Sequence, residues 1–321
     1  MLPRLADRLA ATALALLAAG PIPARAAEPV PRGAAFEAVS LAAGVHLLRP
    51  SGAGLDYANS LVVDRADGLL VIEAQPSPAA ARELLDTLRV ISSKPIRYLV
   101  LSHPHAEAAG GASAFPPETL VIGSAGCRDA LADPAYDFAA ELRAGAADPA
   151  AWVEPPRRRP TLVLRAPAEL DDPARPVRLM VHAPAHSAGD LTVELPAQGI
   201  RYVGSLVWLD RVPYAGDADI GRWLGLLNAI IDHDPLPTVV GLRGPATDPG
   251  ALVRLRDSFA WLRGQVEQGF ADRLPHEEIA RRVLATPGIG DRFAGDATFL
   301  PSLVNRAVDE SAAHRRKRGR G

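Results

Sequence analysis

Apolar and polar positions along this chain fall into two rhythms, and their order predicts strands and helices, then strands and helices again. Phe36 to Leu48 reads as strand with a turn at Ala43-Gly44. Leu61 to Asp64 and Leu69 to Glu73 flank Ala66-Asp67-Gly68, a hairpin signal. Leu84, Leu85 and Leu88 recur at helical spacing and predict a helix over 79–90. The run IRYLVL at 96–101 has the pattern of a strand buried on both faces. A strand at 120–122 and a helix over 127–142 follow, and the Ala-, Pro- and Arg-rich stretch 145–160 reads as loop. Four strand-like runs then occupy 161–165, 177–182, 190–195 and 200–208. A helix at 220–231 and a strand at 238–242 precede a helix over 250–268, where Leu252, Leu255, Phe259, Leu262 and Val266 form one stripe. The remainder, to about residue 312, reads as helical. Such an order fits an α/β protein, either two packed sheets with helices outside or one mixed sheet covered on both faces.

Composition changes this picture mainly at the ends. With 321 residues and 48% hydrophobic content the chain can bury a large core, and a net charge of -2 gives no global field for nucleic acid or membrane. Arg4 and Arg8 precede the small apolar run Leu9 to Gly20, then Pro21, Pro23 and Ala24-Arg25-Ala26. That order predicts a signal peptide over residues 1–26, cut after Ala26, and a periplasmic or secreted mature protein. Because the apolar run is too short to span a bilayer, no membrane span is expected in the mature form. HRRKRGRG at the C-terminus is expected to be a disordered basic tail over 313–321. Cys127 is the only cysteine, which rules out an intramolecular disulfide and leaves a half-buried, unreactive thiol as the expectation.

Candidate chemistry sits in two loops. SHPHAEAAGG at 102–111 leaves the buried strand at its carboxyl end, where open α/β sheets place ligands. His103 and His105, one residue apart, can point the same way as two ligands of one metal, with Glu107 following them. HAPAHSAGDLTVEL at 182–195 carries His186 in a small-residue loop between strands. Either loop alone is weak, since loop histidines are mostly incidental. Together, a strand ending in HxHxE-x-x-GG and, further on, a PAHSAGD loop resemble the metallo-β-lactamase superfamily, whose usual pattern is HxHxDH-x-GG followed by GHTPGD. Tyr57 to Glu73 resembles its opening hairpin, Tyr202 to Trp208 its Phe-x-Gly-Asp strand, and Val240 to Pro245 its Pro-Gly-His-Gly loop. Arg211 to Leu224 is similar to exported members called quinoprotein relay zinc metallohydrolases.

The resemblance implies a four-layered αββα sandwich over 27–270, with a helical extension packed on it at 271–312. It also implies that His103, His105 and His186 form the family's three-histidine site, holding one zinc ion. The family's second-site ligands, an Asp, the next His, a bridging Asp and the loop His, read here as Glu107, Ala108, Ser205 and Arg243, and its supporting hairpin Asp as Glu73. Ala108 cannot ligate, Ser205 is a poor divalent-cation ligand, and Arg243 carries a permanent charge. At ~4 Å that charge and a divalent ion would repel by several kcal/mol. Two readings of Arg243 stand at this level: it replaces the second cation, holding a substrate anion or pairing with Glu107, or it points outward as a surface residue. Glu107 is either a proton acceptor or a further metal ligand.

The resemblance therefore implies a zinc hydrolase of an ester, thioester or amide bond, acting on a small molecule by activating water. The alternative is a non-catalytic binding or accessory protein for a periplasmic, quinoprotein-type partner. An iron-dependent oxygenase-like activity ranks below both, because it relies on the acidic ligand that Ser205 replaces.

Overall fold

The computed structural model describes residues 35–51, 57–145, 153–233, 236–293 and 296–318. The expected signal segment at 1–26 lies outside them. Its elements run β1 (Phe36–Ala42), β2 (Val45–Pro50), β3 (Ser60–Arg65), β4 (Gly68–Ile72), α1 (Pro78–Ile91), β5 (Ile96–Val100), α2 (Ala106–Ala109), β6 (Leu120–Ser124), α3 (Ala125–Ala132) and α4 (Ala140–Gly145). The second half runs β7 (Leu162–Leu164), β8 (Ala168–Leu170), β9 (Val177–Val181), β10 (Leu191–Leu195), β11 (Ile200–Trp208), α5 (Ile220–Asp232), β12 (Thr238–Arg243), α6 (Gly250–Ala271), α7 (His276–Leu284), α8 (Ile289–Arg292) and α9 (Leu300–Arg318).

Strands β1 to β7 form one sheet in sequence order, antiparallel through β4 and parallel from there to β7. A second sheet has the order β12-β11-β10-β9-β8. Alternation along the strands sends one set of side chains to each face. Leu61, Leu70, Ile72 and Val100 of the first sheet meet Leu179, Leu191, Val193 and Tyr202 of the second in a shared core. On the first sheet's outer face, Val62, Val71 and Leu99 pack against Leu84 and Leu88 of α1 and Cys127 and Leu131 of α3. Outside the second sheet, Val203 and Val239 pack against Trp223 of α5, Phe259 of α6 and Leu303 of α9. The result is the four-layer αββα sandwich, the first of the two arrangements the sequence left open. No described helix is long and apolar enough to cross a membrane.

Local chemistry explains most element ends. Ser77 caps α1 by accepting from the Ala80 N–H at 3.2 Å, with Pro78 in the first turn. All of β10 and β11 is buried, yet Glu194 and Arg201 sit there as a directly opposed pair 2.9 Å apart. Three expectations need correction. The helix expected over 127–142 is two helices, because the Asp133-Pro134 step cannot continue the first. β5 is only half covered, with Arg97 exposed, since its first residues lie at the sheet's end. The basic run from His314 to Arg318 is the last turn of α9, not a disordered tail: Arg315 pairs with Glu267 and lies 4.9 Å from the Phe270 ring of α6. Residues 319–321 lie outside the described ones.

Candidate metal centre

β5 delivers the 102–111 loop to the edge of the inter-sheet core, and α2 turns it back beneath the site. That turn needs glycine: a Cβ on Gly110 or Gly111 would fall 2.1 Å from the Pro76 or Ala74 carbonyl oxygen. The second loop, between β9 and β10, is tied by Asp190, whose carboxylate accepts from the Ala185 N–H at 3.0 Å and the Ser187 hydroxyl at 2.7 Å. Cys127 is fully buried rather than half-buried, and burial pushes its thiol pKa up, so it is an inert packing residue.

These two loops bring His103, His105 and His186 together, all nearly or fully buried. Their ring centroids form an almost equilateral triangle of 5.0, 5.1 and 4.9 Å, with ring planes close to perpendicular. One ligand nitrogen from each lies within 4.8 Å of the others. The opposite nitrogens face orienting groups. His103 Nδ1 is 2.8 Å from Ser102 Oγ, His105 Nε2 is 3.0 Å from Asp217 Oδ1, and His186 Nδ1 is 3.7 Å from Asp190 Oδ1. His105 Nδ1 and His186 Nε2 are buried without any hydrogen-bond partner. Three inward nitrogens, two of them orphaned, with the outward nitrogens of His103 and His105 held by a hydroxyl and a carboxylate, are the arrangement that suits a metal ion.

Glu107 reaches into the same cage. Its Oε1 is 2.6 Å from His103 Nε2 and 3.7 Å from His105 Nδ1. Burial would raise the Glu107 pKa, but the three imidazoles hold it well below the usual carboxylate range. His105 shows the complementary effect: burial disfavours its charge, yet the Asp217 carboxylate outweighs this and lifts its pKa to about 10. Ser205, on β11, places its hydroxyl 3.0 Å from His103 Nε2 and 3.5 Å from Glu107 Oε1, at the rim of the cage. Glu73 follows β4 with a left-handed backbone (φ 71°) and a fully buried carboxyl whose Oε2 accepts from the Ser102 N–H at 3.3 Å. Burial pushes its pKa up to about 7.

Arg243 is 4% exposed, which settles its direction: it points inward and is not a surface residue. No carboxylate lies within 4.0 Å of it among the described residues, so it does not pair with Glu107. Ala108 is buried in α2 and offers no ligand atom.

Three residues of the site escaped sequence reasoning. Asp217 orients His105 from across 112 residues of sequence and also accepts from the Tyr136 hydroxyl at 3.0 Å. Tyr136 stacks beside His105 with centroids 6.4 Å apart. Glu141 of α4 is buried, with Oε2 unpartnered, and stands within ligand range of His105 and Glu107. Burial and the Glu107 charge push its pKa well up. Only Glu141 left a trace in the sequence, as an acidic residue set beside the apolar Phe138, Ala139 and Leu142.

Comparison with known proteins agrees with this geometry. Among solved structures, the stereoselective inverting sec-alkylsulfatase Pisa1 from Pseudomonas sp. superposes with a TM-score of 0.68 at 16% identity, covering 84% of this chain and 49% of that one. This chain thus spans about half the length of that neighbour. A metallo-beta-lactamase from Pontibacter korlensis superposes with a TM-score of 0.55 at 19% identity, covering 70% and 99%. The metallo-beta-lactamase FIM-1 from Pseudomonas aeruginosa, in its mono-zinc form, gives 0.54 at 17%, covering 72% and 97%. At these identities the likeness is one of fold. No curated protein sequence matches at a significant level. A family model does match, over residues 53–253, and with the buried three-histidine cage inside that span the chain belongs to the metallo-beta-lactamase superfamily.

Proposed function

We propose that the protein is an exported hydrolase of ester-, thioester- or amide-type bonds in a small molecule, working with one zinc ion held by His103, His105 and His186. The observation that carries this reading is the pair of orphaned nitrogens, His105 Nδ1 and His186 Nε2, buried beside His103 Nε2 within ligand range of one another. Zinc on three imidazoles supplies a water that ionises near neutral pH and a Lewis acid for the scissile group.

The chain's own residues do the rest. Ser102 and Asp217 fix the rings of His103 and His105, so their inward nitrogens are set before anything binds. Glu107, kept ionised by its imidazole neighbours, is placed to accept a proton inside the cage. Trp223 against His186 (5.0 Å) and Tyr214 against His105 (6.1 Å) keep the surroundings apolar, which strengthens each electrostatic contact. A single ion suits the loss of the family's other ligands at Ala108, Ser205 and Arg243, and FIM-1 in its mono-zinc form supports such a state in this fold. Export rests on the pattern of residues 1–26.

Elemental mass spectrometry on protein recovered from the periplasm, without added metal, tests the reading. About one zinc per chain is expected, lost in a folded His186→Ala variant together with turnover on a panel of ester, thioester and amide substrates. A folded wild-type protein with no zinc and no measurable zinc affinity would overturn it in favour of an accessory binding protein.

A further inference from the structure

Arg243 has an environment that neither the fold nor the three-histidine cage requires. It ends β12, where the register pairs Gly241 with Gly204 and Arg243 with Trp208 of β11. Ser205, the neighbour of Gly204, is the residue whose hydroxyl touches His103. The guanidinium therefore stands at the same end of the sheet as the cage. Asn59 fixes this backbone, donating from Nδ2 to the Gly241 and Gly244 carbonyls at 2.9 and 2.8 Å. One guanidinium nitrogen donates to the Tyr57 carbonyl at 2.8 Å, and Cζ lies 5.3 Å from the Trp208 ring centroid. Nε is buried with no partner, and no carboxylate comes within 4.0 Å among the described residues. Glu141, Asp210 and Glu107 are the acidic groups whose fields reach it, and Arg211 adds a second positive charge nearby.

A buried guanidinium with a free donor and no ion pair is costly to the fold, and such a group is retained most readily where it meets an anion during function. Its planar fan of N–H donors matches the oxygens of a carboxylate or a sulfate monoester. The Trp208 ring and the Tyr57 carbonyl hold the guanidinium in advance, so little rotamer freedom remains to be lost on binding.

We infer that Arg243 anchors an anionic oxygen-bearing group on the substrate, so that this site takes acidic rather than neutral substrates. The inference rests on the hydrolase reading for the word substrate, but anion recognition by Arg243 is measurable without turnover. Isothermal titration calorimetry at fixed ionic strength would follow sodium acetate and sodium methyl sulfate, with neutral methyl acetate as control. The zinc-loaded full-length chain, Arg243→Gln and Arg243→Lys would be compared, with zinc content and circular dichroism checked for each. Saturable binding of at least one anion to the wild type is expected, weaker by about tenfold or more in Arg243→Gln and partly restored in Arg243→Lys. Preference for acetate points to carboxylate substrates, and preference for methyl sulfate to sulfate monoesters. Should Arg243→Gln not fold, Arg243→Lys carries the comparison, because it keeps the charge and loses the planar fork. Equal affinity in wild type and variant, or no saturable binding to the wild type at tens of millimolar, overturns the inference. Absence of zinc in the wild type would instead sink the hydrolase reading, while the difference in anion affinity would still be read.

Discussion

Replacing Glu73 with Gln should change how stability depends on pH, and the structure fixes both sign and size. Glu73 is fully buried, its Oε1 has no partner, and its Oε2 has only the 3.3 Å contact with the Ser102 N–H. Burial, only partly opposed by the Ser102 contact, raises its pKa from 4.5 to about 7. A folded-state pKa above the unfolded value means that the folded chain holds the proton more tightly. The associated stability is fully present below about pH 4.5 and is lost as pH rises through 7. At about 1.4 kcal/mol per pH unit, the loss across that window is about 3 kcal/mol. The Gln side chain cannot ionise, so Glu73→Gln escapes the loss, whatever constant offset its amide introduces. Urea denaturation of both proteins in chelator, at pH 5, 6, 7 and 8, measures the difference directly. Stability of the variant relative to wild type should climb by about 2.5 kcal/mol over the series. Other titrating groups cancel in that difference. Parallel pH profiles, differing by a constant, would refute the raised pKa of Glu73. Repeating the series with zinc should flatten the climb, because a nearby cation favours the ionised carboxylate.

Two further changes probe the supports of the cage. Asp217→Ala removes the acceptor that holds His105 Nε2, so zinc affinity measured against a chromophoric chelator should fall about 10- to 100-fold while saturating stoichiometry stays the same; unchanged affinity would mean that His105 is oriented by its packing alone. Glu310 of α9 accepts from the Ile220 and Gly221 N–H groups at the start of α5, at 2.8 and 2.9 Å. Glu310→Ala should therefore lower stability by about 1–2 kcal/mol in urea denaturation, and a loss within error would show that water replaces the cap.

How much of this was legible beforehand follows from the range over which each signal acts. The helix and strand positions were readable because binary pattern and turn chemistry are local: Ser77-Pro78 opens α1 and Asp67-Gly68 turns β3 into β4. The break after α3 was also local, at Pro134, but the apolar spacing on either side concealed it. His103, His105 and His186 were readable only through resemblance, since nothing in the spacing of two distant loops says that they meet. Their orienting residues were less accessible still. Asp217 lies just before the α5 N-cap Asp219, where an acidic residue is expected for helix chemistry alone, so its service to His105 left no separate mark. The inward direction of Arg243 depends on Tyr57 and Asn59, in the loop before β3, and on Trp208 of β11, all far from it in sequence. Helicity of the basic C-terminus depends likewise on Glu267 and Phe270 of another helix.

The two sides of the cage bury different kinds of side chain, and burial energetics explain what that difference demands. On the side of Ala108, Ser205 and Arg243, none of the side chains needs a cation beside it: a methyl group, a neutral hydroxyl and a group already positive. On the other side, His105 Nδ1, His186 Nε2 and Glu107 Oε2 remain buried without hydrogen-bond partners. Each such group costs roughly 1–3 kcal/mol when left unsatisfied. That expense is avoidable, since apolar residues of similar volume would fill the space at no such penalty. A chain that keeps three imidazoles dry, fixes two of their outer nitrogens with Ser102 and Asp217, and sets an ionised Glu107 among them is arranged around a positive charge at their centre. In the metal-free protein His105, whose pKa the Asp217 carboxylate lifts to about 10 against the effect of burial, supplies part of that charge. It cannot satisfy His186, whose two nitrogens stay unpartnered, and this is why His186 is the residue on which metal occupancy should turn.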